Sequence, residues 1–257
     1  TRVNPVDLGY PGTLPTLNKE VVRQGIKACH VLHCDISKVM HFDRKNYFYP
    51  DNPKNYQITQ FNTPIGCNGY VLIEVDGCEK KIEIEEMHIE EDTCKSAHRG
   101  NVTLLDFNRA GVPLIEIVSE PDMRSAKEAE AYMRKIKSIL EYIEVSDCKM
   151  QEGSLRADVN VSVMKKGSKE FGTRTEMKNM NSFRSIVRAI EYEANRQIEL
   201  IEEGGVVEQS TLRWDDVSGR TFSMRDKEDA QDYRYFPDPD LVAIRLSEEY
   251  IEGIKNS

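Results

Sequence analysis

Polar and apolar residues alternate along positions 151–163, QEGSLRADVNVSV. Glu152, Ser154, Arg156, Asp158, Asn160 and Ser162 fall on one side, and Gly153, Leu155, Ala157, Val159, Val161 and Val163 on the other. This alternation predicts a half-buried β-strand with its apolar side on a core. Its other side mixes carboxylates, a guanidinium, an amide and hydroxyls, and suits either an exposed sheet face or the floor of a polar cleft. A turn at Lys165-Lys166-Gly167-Ser168 leads to a second strand within 171–180, where Arg174, Glu176 and Lys178 keep the same spacing. The register of that hairpin decides whether Asp158 and Glu176 share a face. On one face they can hold Mg²⁺, which takes one or two carboxylates together with phosphate and water. Arg156 and Lys178 would then neutralise phosphate charge.

Helical spacing appears on either side of this region. Asn18 is a cap candidate for a helix carrying Val22, Ile26, Cys29 and His33. Ser125 and Glu128 have capping-box spacing and open a helix with Ala129, Tyr132, Ile136, Ile139, Leu140 and Ile143 on one face. Ser182 caps a long helix predicted to turn Phe183, Ile186, Val187, Ile190, Ala194, Ile198 and Ile201 inward and to end at Gly204-Gly205. The strand with Glu176 and Lys178 therefore runs towards a helix N-terminus, an end that favours anions. Ser247 starts a last helix. Positions 69–75 and 80–90 form a hairpin about Asp76-Gly77, and 207–214 with 220–224 form another. Residues 1–17, rich in Pro and Gly, are an extended lead-in.

The stretch 43–60, DRKNYFYPDNPKNYQITQ, shows neither period over most of its length and is predicted to be a shaped loop. Its Arg44, Lys45 and Lys54 alternate with Tyr47, Phe48, Tyr49 and Tyr56; such a loop stacks a base and holds phosphate, or packs on tyrosine anchors. At 88–92, HIEED, a strand would put His88 and Glu90 on one side and Glu91 on the other, whereas a loop would let the acids converge on a metal. Glu116 lies in the apolar run LIEIV and needs a partner, for which Arg109 is the candidate. Cys29-His30-Val31-Leu32-His33-Cys34 invites a zinc reading, but its two pairs lie on adjacent helix faces about 100° apart, which one tetrahedral ion does not span easily.

At 257 residues the chain is one large domain or two small ones. With 35 Lys and Arg against 44 Asp and Glu, a net charge of −9, it lacks the signature of a generally basic nucleic-acid binder, so RNA contact would use local patches. The six cysteines have no framework spacing and read as free thiols of a reducing cytoplasm. No apolar run spans a bilayer and no secretory signal is evident. A start at Thr1 rather than Met reads as a fragment. Phosphate-loop, dinucleotide and nucleophile-elbow motifs are absent, so ATP, if used, sits on an antiparallel sheet with metal ions.

Six motifs in order, DRKNYFYPDNPKNYQITQ, HIEED, LDFNRAGVPLIEIVSEPD, QEGSLRADVNVS, TEMKNMNSF and DYRYFPDPDL, give the chain a resemblance to the B subunits of tRNA-dependent Asp/Glu amidotransferases. The resemblance implies an α+β cradle domain over 1–257, its antiparallel sheet likened to glutamine synthetase and flanked by helices. It implies ATP and Mg²⁺ as cofactors and phosphorylation of the side-chain carboxylate of Glu mischarged on tRNA(Gln), or Asp on tRNA(Asn). Amidation follows, with ammonia from an amidase-type glutaminase, the family's A subunit; with a small C subunit these make up a cytoplasmic heterotrimer, with no membrane or DNA involved. Carried over by motif, Glu91, Glu176, Asp158 and Glu152 are the catalytic candidates. Glu91, His88, Glu176 and Asp158 are the metal candidates, and Arg156, Lys178, Asn160, Lys54, Tyr47 and Lys45 the nucleotide-binding ones. An upstream G-L-E-x-H stretch and the helical tRNA-gripping part of the family are missing from this sequence, and Asn4-Pro5-Val6-Asp7 replaces the C-P-x-C of many members. The alternatives are a ligase acting on a free amino acid and a non-catalytic RNA-binding subunit.

Overall fold

Asp76 and Gly77 both take positive φ, 53° and 78°. That is the backbone of a two-residue hairpin turn whose twist matches its strands, and it joins the two longest strands of the chain. In the computed structural model, residues 3–224 and 232–255 are described. In chain order the elements are α1 (Lys19–Val31), β1 (Asp35–Ile36), β2 (Val39–Met40), β3 (Asp43–Asn46), β4 (Tyr56–Thr59), β5 (Gly66–Val75) and β6 (Cys78–Glu91). Then come β7 (Lys95–Arg99), β8 (Val102–Asp106), β9 (Pro113–Ser119), α2 (Ala126–Tyr142), β10 (Val159–Val161), β11 (Thr175–Lys178) and α3 (Phe183–Glu202). The last are β12 (Ser210–Asp215), β13 (Arg220–Ser223), β14 (Phe236–Pro237), β15 (Ile244–Arg245) and α4 (Glu248–Lys255).

The chain divides into two compact units, one of Thr1–Val71, Ile82–Asp122 and Glu228–Ser257, the other of Leu72–Lys81 and Met123–Lys227. In the first, α1 is capped by Asn18, whose side chain accepts the Glu20 N–H at 2.9 Å. It buries Val22, Ile26, Ala28 and Cys29. The main sheet runs β1-β5-β6-β9 and smaller sheets run β14-β3-β4, β15-β2 and β7-β8. The stretch predicted as a loop at 43–60 is instead a hairpin, β3 and β4, whose strand period is masked because polar Asp43, Gln57 and Thr59 take the buried positions. Arg44 explains its link to the DYRYFPDPDL stretch. Its guanidinium reaches Asp238 at 2.8 Å and Asp240 at 2.7 Å while lying 4.1 Å over the Tyr56 ring, which brings residues nearly two hundred positions apart into one sheet. The CHVLHC stretch holds no zinc arrangement: His30 Nε2 meets the Ile251 carbonyl at 2.8 Å and His33 stacks on Tyr70 at 4.2 Å.

In the second unit, a four-stranded sheet ordered β10-β11-β12-β13 packs one face on helices. Val161, Met177, Met180, Ile186, Ala189, Leu212 and Trp214 make its core. The sheet is mixed rather than wholly antiparallel, because β11 crosses over through α3 to a parallel β12. The long strand predicted over 151–163 is reduced to β10. Met150–Glu152 is a 3-10 turn closed by Gly153 at φ 80°, yet exposure still alternates from Glu152 to Val161. Ser125 and Ser182 cap α2 and α3 as expected. On α3, however, the inward positions after Ala189 go to Glu193 and Gln197, leaving Ile198 and Ile201 exposed, at 41% and 45%. Among the described residues, no helix is long and apolar enough to cross a membrane.

Candidate functional site

In the first unit, β6 and β9 pair with His88 opposite Glu116. Residues opposite each other share a face, and Glu90 joins them two positions along β6. His88 Nε2 lies 3.1 Å from Glu116 Oε2 and 3.7 Å from Glu90 Oε2, and Nδ1 lies 3.7 Å from Glu86 Oε1. Burial works against the charge on His88, but its hydrogen bonds with Glu116 and Glu90 and their charges prevail and raise its pKa to about 9. The Glu116 side chain is 52% exposed, so the acid in the apolar run escapes burial and its partner is His88. Arg109, the partner expected from the sequence, instead reaches Asp92 at 3.4 Å and donates to the carbonyls of Thr93 and Cys94.

One donor atom each from His88, Glu90 and Glu116 lie within 4.8 Å of one another. His88 Nδ1 is buried with no hydrogen-bond partner among the described residues. Two carboxylates and an imidazole accept a divalent cation once the imidazole is neutral. Glu91 lies on the opposite face of β6 from His88. It pairs with Lys54 and accepts the Ile58 N–H at 3.0 Å, while its carbonyl accepts from Gln57 at 2.6 Å. Lys54, Gln57 and Glu91 line a small cleft with Asp7, Asp51 and Asp92. Asp7 comes from the Asn4–Asp7 turn, in which Asn4 Oδ1 accepts the N–H groups of Val6 and Asp7. Gly111, at φ 75°, admits Asp7: a Cβ there would fall 2.2 Å from its carboxylate oxygen. Lys45 lies 4.6 Å from the Tyr233 ring and Tyr47 meets the same ring edge-on at 6.0 Å, with burial pushing the Tyr47 hydroxyl up. The aromatic-basic pairs of this hairpin are thus satisfied within the fold.

In the second unit, Val159 pairs with Met177 and Asn160 with Glu176. That register puts Asp158, Asn160, Glu176 and Lys178 on one face, the arrangement in which the two acids can act together. Lys178 Nζ bridges them, 3.2 Å from Asp158 and 3.5 Å from Glu176. Burial opposes its charge, but the two carboxylates outweigh burial and hold it above the usual lysine value. Thr211 Oγ1 donates to Glu176 at 3.1 Å. Arg156 is exposed on the same alternation. Glu152 is apart from this row in hydrogen bonding, since the 3-10 turn pairs it with Lys149 at 3.2 Å. Sequence reasoning left Glu90 among the HIEED acids that a loop would bring to a metal without choosing it, and named neither Glu116 as a metal ligand nor Thr211 at all. Their placement comes from cross-strand register, and the one signal available was the acid inside LIEIV.

Residues 1–252 match the family described as the GatB/GatE catalytic domain. The chain belongs to that family. It is 61% identical over 253 residues to the B subunit of an aspartyl/glutamyl-tRNA(Asn/Gln) amidotransferase from Lachnoclostridium phytofermentans, covering 98% of this chain and 53% of that protein. Proteins of the same name from Caldicellulosiruptor bescii and Brevibacillus brevis are 59% and 54% identical, each over 99% of this chain and 54% of the relative. This GatB/GatE catalytic-domain chain therefore spans about half the length of the curated relatives it matches.

Proposed function

We propose that this chain is the carboxylate-phosphorylating part of a tRNA-dependent amidotransferase. One observation carries the reading: the catalytic-domain match runs from residue 1 to residue 252, and the relatives sharing it are named as amidotransferase B subunits. The substrates are Glu esterified to tRNA(Gln) or Asp esterified to tRNA(Asn). A carboxylate offers ammonia no leaving group at neutral pH. Its oxygen therefore attacks the γ-phosphorus of ATP, ADP departs, and an acyl phosphate forms. Ammonia attacks the acyl carbon, the C–O bond breaks with its electron pair leaving on phosphate, and loss of a proton from nitrogen gives the amide.

Two sets of side chains would hold a divalent cation: Asp158 with Glu176, whose oxygens suit Mg²⁺, and His88 with Glu90 and Glu116. An ion bound there would supply charge neutralisation on the polyphosphate. Lys178 and Arg156 orient phosphate oxygens, and Asn160 adds an amide donor. Lys54, Glu91, Lys45 and Tyr47 line or flank the polar cleft of the first unit and position small polar species there. In this reading ammonia comes from an amidase-type glutaminase, the A subunit, held in the cytoplasmic assembly by a small C subunit. The likeness to glutamine synthetase belongs to it too, since both would phosphorylate a carboxylate. The test is ATP hydrolysis and amide formation by the full-length protein in its complex, with mischarged tRNA, uncharged tRNA or free glutamate. Turnover that needs mischarged tRNA is expected. Turnover with free glutamate, or none under any condition, overturns the reading.

A further inference from the structure

Helix α1 ends in a Schellman cap. His33 takes the left-handed backbone at φ 56°, and its N–H donates to the His30 carbonyl at 3.3 Å. The Cys34 N–H donates to the Cys29 carbonyl at 2.9 Å. In such a cap the residues joined by this second bond also bring their side chains together, a contact that usually falls to two apolar groups. Here both are cysteines. The bond from carbonyl to amide keeps their α-carbons within about 6.8 Å, a span that a disulfide can bridge.

Two glycines of β5 leave room for the sulfurs. A Cβ on Gly66 would fall 2.6 Å from Cys29 Sγ and 3.4 Å from Cys34 Sγ, and one on Gly69 would fall 2.5 Å from Cys34 Sγ. Both sulfurs therefore lie against the same bare stretch of strand. Cys29 is fully buried, whereas Cys34 is only partly so. The Cys29 thiol donates to the Cys34 sulfur, and Cys34 Sγ in turn lies 3.8 Å from the Leu32 carbonyl. The bond from Cys29 holds Cys34 below the usual thiol value, against burial and the Asp35 charge. The same bond, with burial, pushes Cys29 up. One thiol is thus reachable and readily ionised, and the other is sheltered, protonated and in contact with it. Cys67 pairs across β1 and β5 with Asp35, not with Cys34. Two thiols are too few for structural zinc, which takes four ligands.

We infer that Cys29 and Cys34 are a reversible oxidation site for hydrogen peroxide. The Cys34 thiolate attacks one peroxide oxygen, the O–O bond breaks, and hydroxide leaves, giving a sulfenic acid. The Cys29 sulfur then attacks the Cys34 sulfur, and the S–O bond breaks. The departing hydroxyl takes the Cys29 proton and leaves as water. Together the two thiols lose two electrons and the peroxide becomes two waters. A small dithiol returns both cysteines to thiols. With Cys29 already in place, Cys34 is diverted from the irreversible sulfinic acid. The cap hydrogen bonds close this turn beforehand, so the cross-link forms at the end of α1 without unfolding it.

The test is peroxide treatment of the full-length protein in its complex, then blocking of the remaining thiols, trypsin and mass spectrometry, with circular dichroism as a fold control. Cleavage after Lys27 and Lys38 puts both cysteines in one peptide, 28–38, and leaves Cys67 in another. The expected product is peptide 28–38 lacking two hydrogens, restored by dithiothreitol. Cys29→Ser is expected to abolish it and leave a Cys34 sulfenic acid that dimedone labels. Cys34→Ser is expected to leave Cys29 unoxidised. Both thiols still free at a dose that oxidises the exposed Cys78 overturns the inference, as does a cross-link from Cys34 to Cys67. The wild-type measurement decides the matter even where a variant fails to fold.

Discussion

Lys178 holds two carboxylates on one sheet face, so its removal leaves Asp158 and Glu176 facing each other without a cation. Lys178→Met is expected to lower kcat/KM for ATP-dependent amidation roughly 10- to 100-fold, the worth of one or two charge-assisted hydrogen bonds. Single-turnover phosphate release in the full complex measures it, and an unchanged rate removes Lys178 from the site. Arg44 is a structural counterpart. Asp238 is fully buried against it, so Arg44→Ala strands a carboxylate and is expected to cost about 3 kcal/mol in urea unfolding. Arg44→Lys recovers only part of this, because an ammonium cannot span Asp238 and Asp240 as the planar fork does. The sequence showed which of these residues were chemically loaded, but not whom they meet. Asp158 and Glu176 were visible as a pair awaiting a register. The partnership of Arg44 with residues near position 240 leaves no local pattern at either end.

Helix starts were legible because a cap is a local event: Asn18, Ser125 and Ser182 each sit where spacing put them. Strand lengths were less so. Alternation over 151–163 reports which way side chains face, and exposure does alternate there, but a ladder needs a partner strand, which only β10 has. On α3 the apolar period misled at its far end, where Glu193 turns inward. Its carboxylate is fully buried and takes hydrogen bonds from Arg196, Gln197, Thr175 and Thr221, pinning the helix to β11 and β13. Burial alone would raise its pKa, but the bonds from Arg196, Gln197 and Thr175 prevail and lower it. Its stabilising contribution is therefore complete above the ordinary glutamate value of 4.5 and is lost as pH falls through the lower folded value. Glu193→Gln is expected to cost about 1–3 kcal/mol at neutral pH and to flatten the acid limb of stability against pH. Urea titrations from neutral to acid pH check both; an unchanged acid limb assigns that slope to other carboxylates.

At the scale of the molecule, both units have apolar cores that involve no metal ligand, so chelation and folding are expected to separate. EDTA should abolish ATP-dependent amidation by the full complex while leaving circular dichroism and the thermal midpoint of this chain in place; a collapse of the fold would make the cation structural. Fold class and the motif-bearing segments were readable in advance, and two small domains were one of two readings, whereas the course of the division between units was not legible. It follows from which strands find each other, and the first unit is drawn from three separate stretches of chain. That interruption sets an order of events during synthesis. The Arg44 clamp waits for residues 238–240, which are made only after residues 123–227 are complete. The inserted unit therefore needs nothing from the last segment in order to close, and a chain cut short near position 230 and released from the ribosome should already protect α3 from protease and leave β3 cleavable.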